Sequence, residues 1–152
     1  EYLQDNLRIL SGFYGILKPL DGVVPYRLEM QSKFINYKNK DLYEYWADKI
    51  ANSLFEETNL IINLASKEYS KCVEKYLKNS PGTKFITCVF GEIKGDKVIE
   101  KGTLAKMARG EMVRYLAQNK ICDLEGLKRF DKLEYKYSQE KSNENTYVFI
   151  KS

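Results

Sequence analysis

The run Leu60-Ile61-Ile62-Asn63-Leu64 constrains this chain most. It is apolar, short and bounded by polar residues, so it reads as a buried strand. Ser66 follows where a helix N-cap belongs. Beyond it Tyr69, Cys72, Val73, Tyr76 and Leu77 fall on one helical face. A strand that hands over to a helix within two residues is the unit of α/β architecture. The expected fold is therefore α/β (mixed α+β), with a mixed β-sheet flanked by about four helices.

The flanking sequence fits that frame. Leu7 to Leu10 reads as a short strand, and Ser11 to Gly15 as a glycine turn. Lys18-Pro19 and Asp21-Gly22 continue as irregular loop. Asp41 to Glu57 reads as one helix, with Asp41 and Glu44 in capping-box spacing and Leu42, Tyr45, Trp46, Ile50 and Leu54 on one stripe. Pro81-Gly82 ends the helix that starts at Ser66. Thr83 to Ile93 and Lys97 to Glu100 form a hairpin across Gly95-Asp96. Thr103 to Asn119 and Asp123 to Phe130 are helices, and Tyr135 to Ser138 and Thr146 to Lys151 are closing strands. No repeat, linker or low-complexity segment divides the 152 residues, so one domain over 1–152 is expected.

Composition narrows the chemistry. Histidine is absent, which removes any His general base, any Ser-His-Asp or Cys-His pair and any His-ligated metal within these residues. Proton transfer would fall to Glu, Asp, Lys, Tyr or Cys. Cys72, Cys88 and Cys122 match neither a zinc spacing nor a disulfide framework, so no metal site and no cofactor are expected. A reducing cytoplasm is the expected setting. No apolar run approaches the roughly 18 residues of a membrane span, no leader is visible, and no protein partner is identifiable. The net charge of +4 permits nucleic-acid binding without demanding it. Twelve tyrosines fit half-buried aromatic positions with wet hydroxyls.

Four segments can carry chemistry. Ser11, Gly12, Tyr14 and Gly15 lie in a glycine turn after a strand, which either offers backbone N–H groups to a phosphate or is a tight structural turn. Lys18 follows it. Tyr26, Arg27 and Glu29 bring an aromatic face, a guanidinium fork and a carboxylate together; Arg27 can grip an anion or pair with Glu29. Ser66 and Glu68 stand at the carboxyl end of a strand, where ligands favour α/β sheets, although Ser66 also serves as a plain cap. Lys106, Arg109 and Arg114 lie on a helix whose expected apolar face is Leu104, Ala108, Met112 and Tyr115. Gly110 in that helix costs about 1 kcal/mol relative to Ala, a cost explained if something approaches its backbone closely. The plain alternative is a surface helix with Glu111 and Arg114 paired.

The phrases Leu10-Ser11-Gly12-Phe13-Tyr14-Gly15-Ile16-Leu17-Lys18-Pro19-Leu20-Asp21, Pro25-Tyr26-Arg27-Leu28-Glu29-Met30, Asp41-Leu42-Tyr43 with Trp46 and Asp48, Ile62-Asn63-Leu64-Ala65-Ser66 with Glu68-Tyr69, and Ala108-Arg109-Gly110 with Met112 occur in order. This strongly resembles the YaaA family of bacterial peroxide stress proteins. The resemblance runs through the chain, which looks like the C-terminal three-fifths of a member and a fragment of a larger domain. It implies a cytoplasmic oxidative stress response protein, tied to iron homeostasis and protection from iron-dependent damage. It also implies DNA binding, with a preference for distorted DNA and a helix-hairpin-helix-like element for which Ser11 to Leu17 is the nearest match. Met107 stands where the family phrase has Lys, Gln31 and Ala47 where it has Gly, and Lys151 where Arg is usual. Two readings follow. One is a DNA-binding stress protein with Lys18, Arg27, Lys106, Arg109 and Arg114 on phosphates. The other is an enzyme acting on a nucleotide or small phosphorylated substrate, with Arg27 and Arg109 as clamp and Glu29 or Glu68 as acid–base group.

Overall fold

The computed structural model describes residues 1–33 and 39–152. The chain divides into two compact units, Glu1–Ile61 with Ala65–Lys84, and Ile62–Leu64 with Phe85–Ser152. Among the described residues there are six α-helices and a five-stranded mixed sheet, an α/β fold as the strand-Ser-helix unit predicts.

In the first unit, α1 (Tyr2–Asn6) leads into a β1 (Ile9–Ser11) and β2 (Gly15–Leu17) hairpin, registered Ile9 to Leu17 and Ser11 to Gly15. Neither α1 nor β2 is expected from the sequence: both are too short to show a period. Arg8 ties the start of this hairpin to Glu57 by an ion pair and to the Leu7 carbonyl at 2.9 Å. The helix expected over Asp41 to Glu57 is two helices, α2 (Leu42–Trp46) and α3 (Lys49–Glu57). The capping prediction holds. Asp41 accepts from the Glu44 N–H at 2.8 Å, and Glu44 accepts from the Lys40 N–H at 2.8 Å. Ala47 then breaks the helix at φ 46°, ψ −125°, a backbone region that favours glycine. Leu42, Ile50, Ala51 and Leu54 are buried on either side of the break.

β3 (Leu60–Asn63) is followed by α4 (Lys67–Glu74). Ser66 is the N-cap, and its carbonyl accepts from Tyr69 and Ser70 at 2.9 Å, but its hydroxyl makes no cap bond. Cys72 and Val73 are buried, as the helical stripe predicts, and α4 packs on α3. The helix ends at Glu74, and a 3₁₀ turn over Leu77–Asn79 takes the chain to Pro81-Gly82.

In the second unit, β4 (Lys84–Lys94) and β5 (Lys97–Ile99) form the expected hairpin. α5 (Gly102–Asn119) and α6 (Leu124–Lys128) precede β6 (Tyr135–Tyr137) and β7 (Thr146–Lys151). The sheet order is β3-β4-β7-β6, with β5 on β4. β4 and β7 run parallel from Thr87 opposite Thr146 to Gly91 opposite Ile150, while β6 pairs β7 antiparallel. The core is aromatic. Phe90 stacks on Phe149 at 5.1 Å, and Phe130 meets both edge-on at 5.9 and 5.7 Å. All three are buried. Such pairs add about 0.5–1.5 kcal/mol each beyond their burial. α5 buries Ala105, Ala108, Met112 and Tyr115, so its inner face is shifted slightly from the expected one, with Leu104 only half-buried.

The left-handed backbone at Ala47 makes a direct test. Ala47→Gly relieves a strain of about 1–3 kcal/mol at the expense of about 0.4–1 kcal/mol of unfolded-chain entropy. The variant is expected to melt about 2–4 °C higher for a net gain near 1 kcal/mol, read by thermal denaturation.

Candidate functional site

The candidate residues of the first unit gather around one strip, Tyr26 to Gln31, which ends in a turn closed by the Ser32 N–H on the Glu29 carbonyl at 3.0 Å. Its first anchor is the β1–β2 turn. Ser11 is buried, and its hydroxyl oxygen accepts from the Phe13 N–H at 3.2 Å and the Tyr14 N–H at 3.0 Å. It is also hydrogen-bonded to the Tyr26 hydroxyl. With both lone pairs of Ser11 engaged, its own proton points to the Tyr26 oxygen. The amides of Phe13 and Tyr14 thus have a partner already; the turn is self-satisfied at the very N–H groups that a phosphate would use.

Gly12 lies directly under the strip. A Cβ at this position would sit 2.7 Å from the Leu28 carbonyl oxygen and 3.3 Å from the Glu29 carbonyl carbon. Trp46 closes the other side of the turn. Its indole N–H donates to the Gly12 carbonyl at 2.9 Å. Its ring lies where a Cβ of Gly15 would be, 2.8 Å away, and Gly15 takes φ 76°. The break at Ala47, directly after Trp46, ends the helix that carries this indole.

The strip's second anchor is the start of α4. The Gln31 N–H donates to Glu68 Oε1 at 3.1 Å, and the Tyr43 hydroxyl donates to the Glu68 carbonyl at 2.9 Å. Burial pushes the Tyr69 phenol up, while a hydrogen bond to the Met30 backbone pulls the other way. Lys71 lies over the Tyr43 ring at 4.5 Å, a cation–π contact. Met30 is wholly buried between these anchors in sequence.

Three rings cap the turn. Phe13 and Tyr26 stack at 5.3 Å with planes 30° apart, and Tyr14 meets them edge-on at 4.9 and 5.6 Å. The Tyr14 hydroxyl accepts from the Val24 N–H at 3.0 Å, pinning the loop that leads into the strip. Phe13 is 52% exposed and Tyr26 42%. Arg27, Glu29 and Lys18 are also exposed, and among the described residues their side chains make no ion pair, with one another or elsewhere. The Arg27–Glu29 staple is therefore absent. Ser66 is exposed.

The remaining candidates belong to the second unit. Arg109 Nη2 donates to Glu100 Oε1 at 3.1 Å, and the same oxygen accepts from the Phe90 N–H at 3.4 Å. Arg109 Nε is buried with no partner among the described residues. Lys106 and Arg114 are exposed and unpaired among the described residues, so no Glu111–Arg114 pair forms. Gly110 is exposed, with no atom of the described residues within 4 Å of where a Cβ would stand. The close approach expected at its backbone is made by no described residue. Burial pushes the Cys88 thiol up to about 12, with Arg109 opposing, and the Cys72 thiol up to about 11. No group of three or more His, Cys, Asp or Glu among the described residues could hold a metal ion. None of the described helices is long and apolar enough to cross a membrane.

Comparison with known proteins places this geometry. The family model for the peroxide stress protein YaaA matches residues 1–141. The chain belongs to the YaaA family. A UPF0246 protein of Lachnoclostridium phytofermentans is 60% identical over 151 residues, covering 99% of this chain and 58% of the relative. UPF0246 proteins of Desulfitobacterium hafniense and Agathobacter rectalis are 54% and 56% identical, covering 100% and 98% of this chain and 60% and 59% of themselves. The chain thus spans about three-fifths of the length of the curated relatives it matches.

Within this YaaA-family chain the structure brings together Ser11, Gly12, Tyr14, Gly15, Tyr26 and Glu68, and places Lys18, Arg27, Glu29 and Ser66 on the surface of the same unit. Sequence reasoning missed Phe13, Trp46, Tyr43 and Glu100 as members of these arrangements. Trp46 had a signal, being the single tryptophan and spaced on the stripe of α2 and α3. Glu100 had none, because its partners lie ten and nine residues away on different elements.

Two tests follow. Gly12→Ala places a carbon against backbone, so it is expected to displace the Tyr26–Glu29 strip and cost about 1–3 kcal/mol, read by thermal denaturation. Iodoacetamide at pH 8 is expected to alkylate Cys122, which is exposed, and to reach Cys72 and Cys88 only after unfolding, because burial disfavours their thiolates. The raised folded pKa values also fix a pH dependence. Their contribution to stability is complete below the ordinary thiol pKa of 9.0 and is lost as pH rises toward about 11 and 12. Mass spectrometry of the labelled protein and alkaline melting curves read these outcomes.

Proposed function

We propose that this chain supplies the DNA-contacting surface of a peroxide stress protein and engages DNA whose bases are partly unstacked. The observation that supports this most is the exposed Phe13–Tyr26 pair beside an uncommitted Arg27. An aromatic face in solvent attracts a base that is already out of its stack, for about 1–3 kcal/mol per base. The Arg27 guanidinium has no ion pair among the described residues and is available for phosphate. Lys18 adds a second cation on the same loop, exposed and without an ion pair among the described residues. Intact duplex offers phosphates but few free base faces, so this surface favours bulged or single-stranded sites. Occupying such sites covers bases that oxidants reach most easily, which gives the family's protective role a physical form.

The enzyme reading has less support. Glu68 holds the Gln31 N–H, and Arg109 holds Glu100, so an acid–base group and half of an anion clamp are committed to internal hydrogen bonds.

Fluorescence anisotropy of the full-length protein with bulged, intact and single-stranded oligonucleotides tests the proposal. The bulged duplex is expected to bind tightest, and Phe13→Ala to abolish most of that preference. Arg27→Ala is expected to lower the salt slope by about 0.9 on duplex, the loss of one phosphate contact. Salt-insensitive binding, or a Phe13→Ala variant with unchanged preference, overturns it. A thermal shift with nucleotides in the absence of DNA binding would favour the enzyme instead.

A further inference from the structure

β3 (Leu60–Asn63) stands at one end of the sheet path, with β4 as its neighbour and no strand beyond it among the described residues. Its composition is that of an interior strand. Leu60-Ile61-Ile62-Asn63-Leu64 carries no charge and no proline. In an extended run Leu60, Ile62 and Leu64 point to one face and Ile61 to the other, so neither face is polar throughout. That pattern belongs to strands covered on both faces. Yet Leu60, Ile61 and Ile62 are only half-buried. The other margins of the sheet differ. β5 and β6 are three residues long, and each carries an exposed lysine, Lys97 and Lys136. Short strands and lysines keep sheet edges from pairing further. β3 has no such guard. The backbone shows which groups face the open side. The Asn59 carbonyl accepts from the N–H of Lys84, the first residue of β4, at 2.8 Å. Across a trans peptide the next N–H points the opposite way. The Leu60 N–H accordingly donates to the Thr58 hydroxyl at 3.1 Å, and that hydroxyl donates to the Leu60 carbonyl at 3.2 Å. Strand alternation turns the N–H and C=O of Ile62 to the same side as those of Leu60, away from β4.

We propose that β3 is an interior strand of the full-length protein, its open edge at Ile62 paired by a strand from the part of the YaaA-family chain that these 152 residues do not span. The inference concerns the sheet and does not rest on the DNA reading above. Length selects the occupant. The chain covers 58% to 60% of three curated relatives, so about two-fifths of a member's length lies outside the matched part, ample for a strand and its cover. A second copy fits less well. It would meet β3 over only about 13 Å, a small contact beside the roughly 1,000 Å² of a specific interface. A strand from the same chain needs no such area, because its association is intramolecular. Pairing would satisfy the outward backbone groups of Ile62 and cover apolar side chains that are half-buried without it.

The test is NMR on the isotope-labelled full-length protein, which needs no substitution. The Ile62 amide is expected to exchange with solvent about 10³-fold slower or more than in an unstructured chain, as amides of core strands do. It is also expected to show cross-strand NOEs to residues outside the stretch that corresponds to this chain. A fast-exchanging Ile62 amide overturns the inference. So does a slow amide without cross-strand NOEs on its open side, because burial alone then protects it. NOEs from that side to residues within the stretch overturn it as well. A sample mixed from labelled and unlabelled copies covers the remaining case: NOEs between copies mean that two molecules pair at β3, and they overturn the inference too. None of these readouts involves DNA, so either reading can fail while the other stands.

Discussion

The contact between Gly12 and the backbone of Leu28 and Glu29 is the constraint on which the first unit's surface depends. Two lengths of main chain approach until a single methyl group would not fit between them. That closeness brings the Tyr26 hydroxyl to Ser11 and its ring over Phe13. It also sets where Arg27 and Glu29 leave the surface. Close backbone approach of this kind is unforgiving, since a peptide group cannot rotate away as a side chain can. Everything the strip presents to solvent is positioned by one missing carbon atom.

The first anchor of that arrangement involves a local cost. Trp46 holds the turn from beneath through its indole N–H and its ring, and the chain then leaves α2 through an alanine in a glycine conformation. The periodicity of Leu42, Tyr45, Trp46, Ile50 and Leu54 reads as one helix because the break neither adds nor removes an apolar position. What interrupts it is a backbone conformation, which composition and spacing do not encode when the residue is Ala. At φ 46° a glycine would sit without the strain that alanine carries.

The same distinction explains what was legible elsewhere. The strand-Ser-helix unit, the β4–β5 hairpin, α5 and the last two strands follow from period and turn chemistry and stand where those place them. α1 and β2 are three to five residues long and lie beneath the resolution of any periodic signal. Among site residues, the sequence marked Ser11, Gly12, Tyr26 and Glu68 by type and position. It could not show that the amides of Phe13 and Tyr14 are consumed by Ser11, or that Glu68 holds the Gln31 N–H. Those are non-local or geometric facts, and they change the meaning of the residues: the glycine turn becomes a platform for rings rather than a cradle for phosphate.

Charge pairing removes one candidate, Arg109, and leaves the others among the many Lys and Arg residues that make no ion pair among the described residues. Arg8, Lys101, Arg109, Lys128, Lys132, Lys141 and Lys151 are all paired with carboxylates. Among the described residues Lys18, Arg27, Lys106 and Arg114 are not. An exposed ion pair is worth only about 0–1 kcal/mol, so leaving cations unpaired costs the fold little. The same four charges matter far more to a polyanion, because each phosphate neutralised releases condensed counterions and the gain accumulates over contacts. Lack of an ion pair therefore does not distinguish a nucleic-acid contact on this surface, and the groups beside a cation must do so. In the DNA contact proposed above, specificity would come from the exposed rings of Phe13 and Tyr26 next to Arg27.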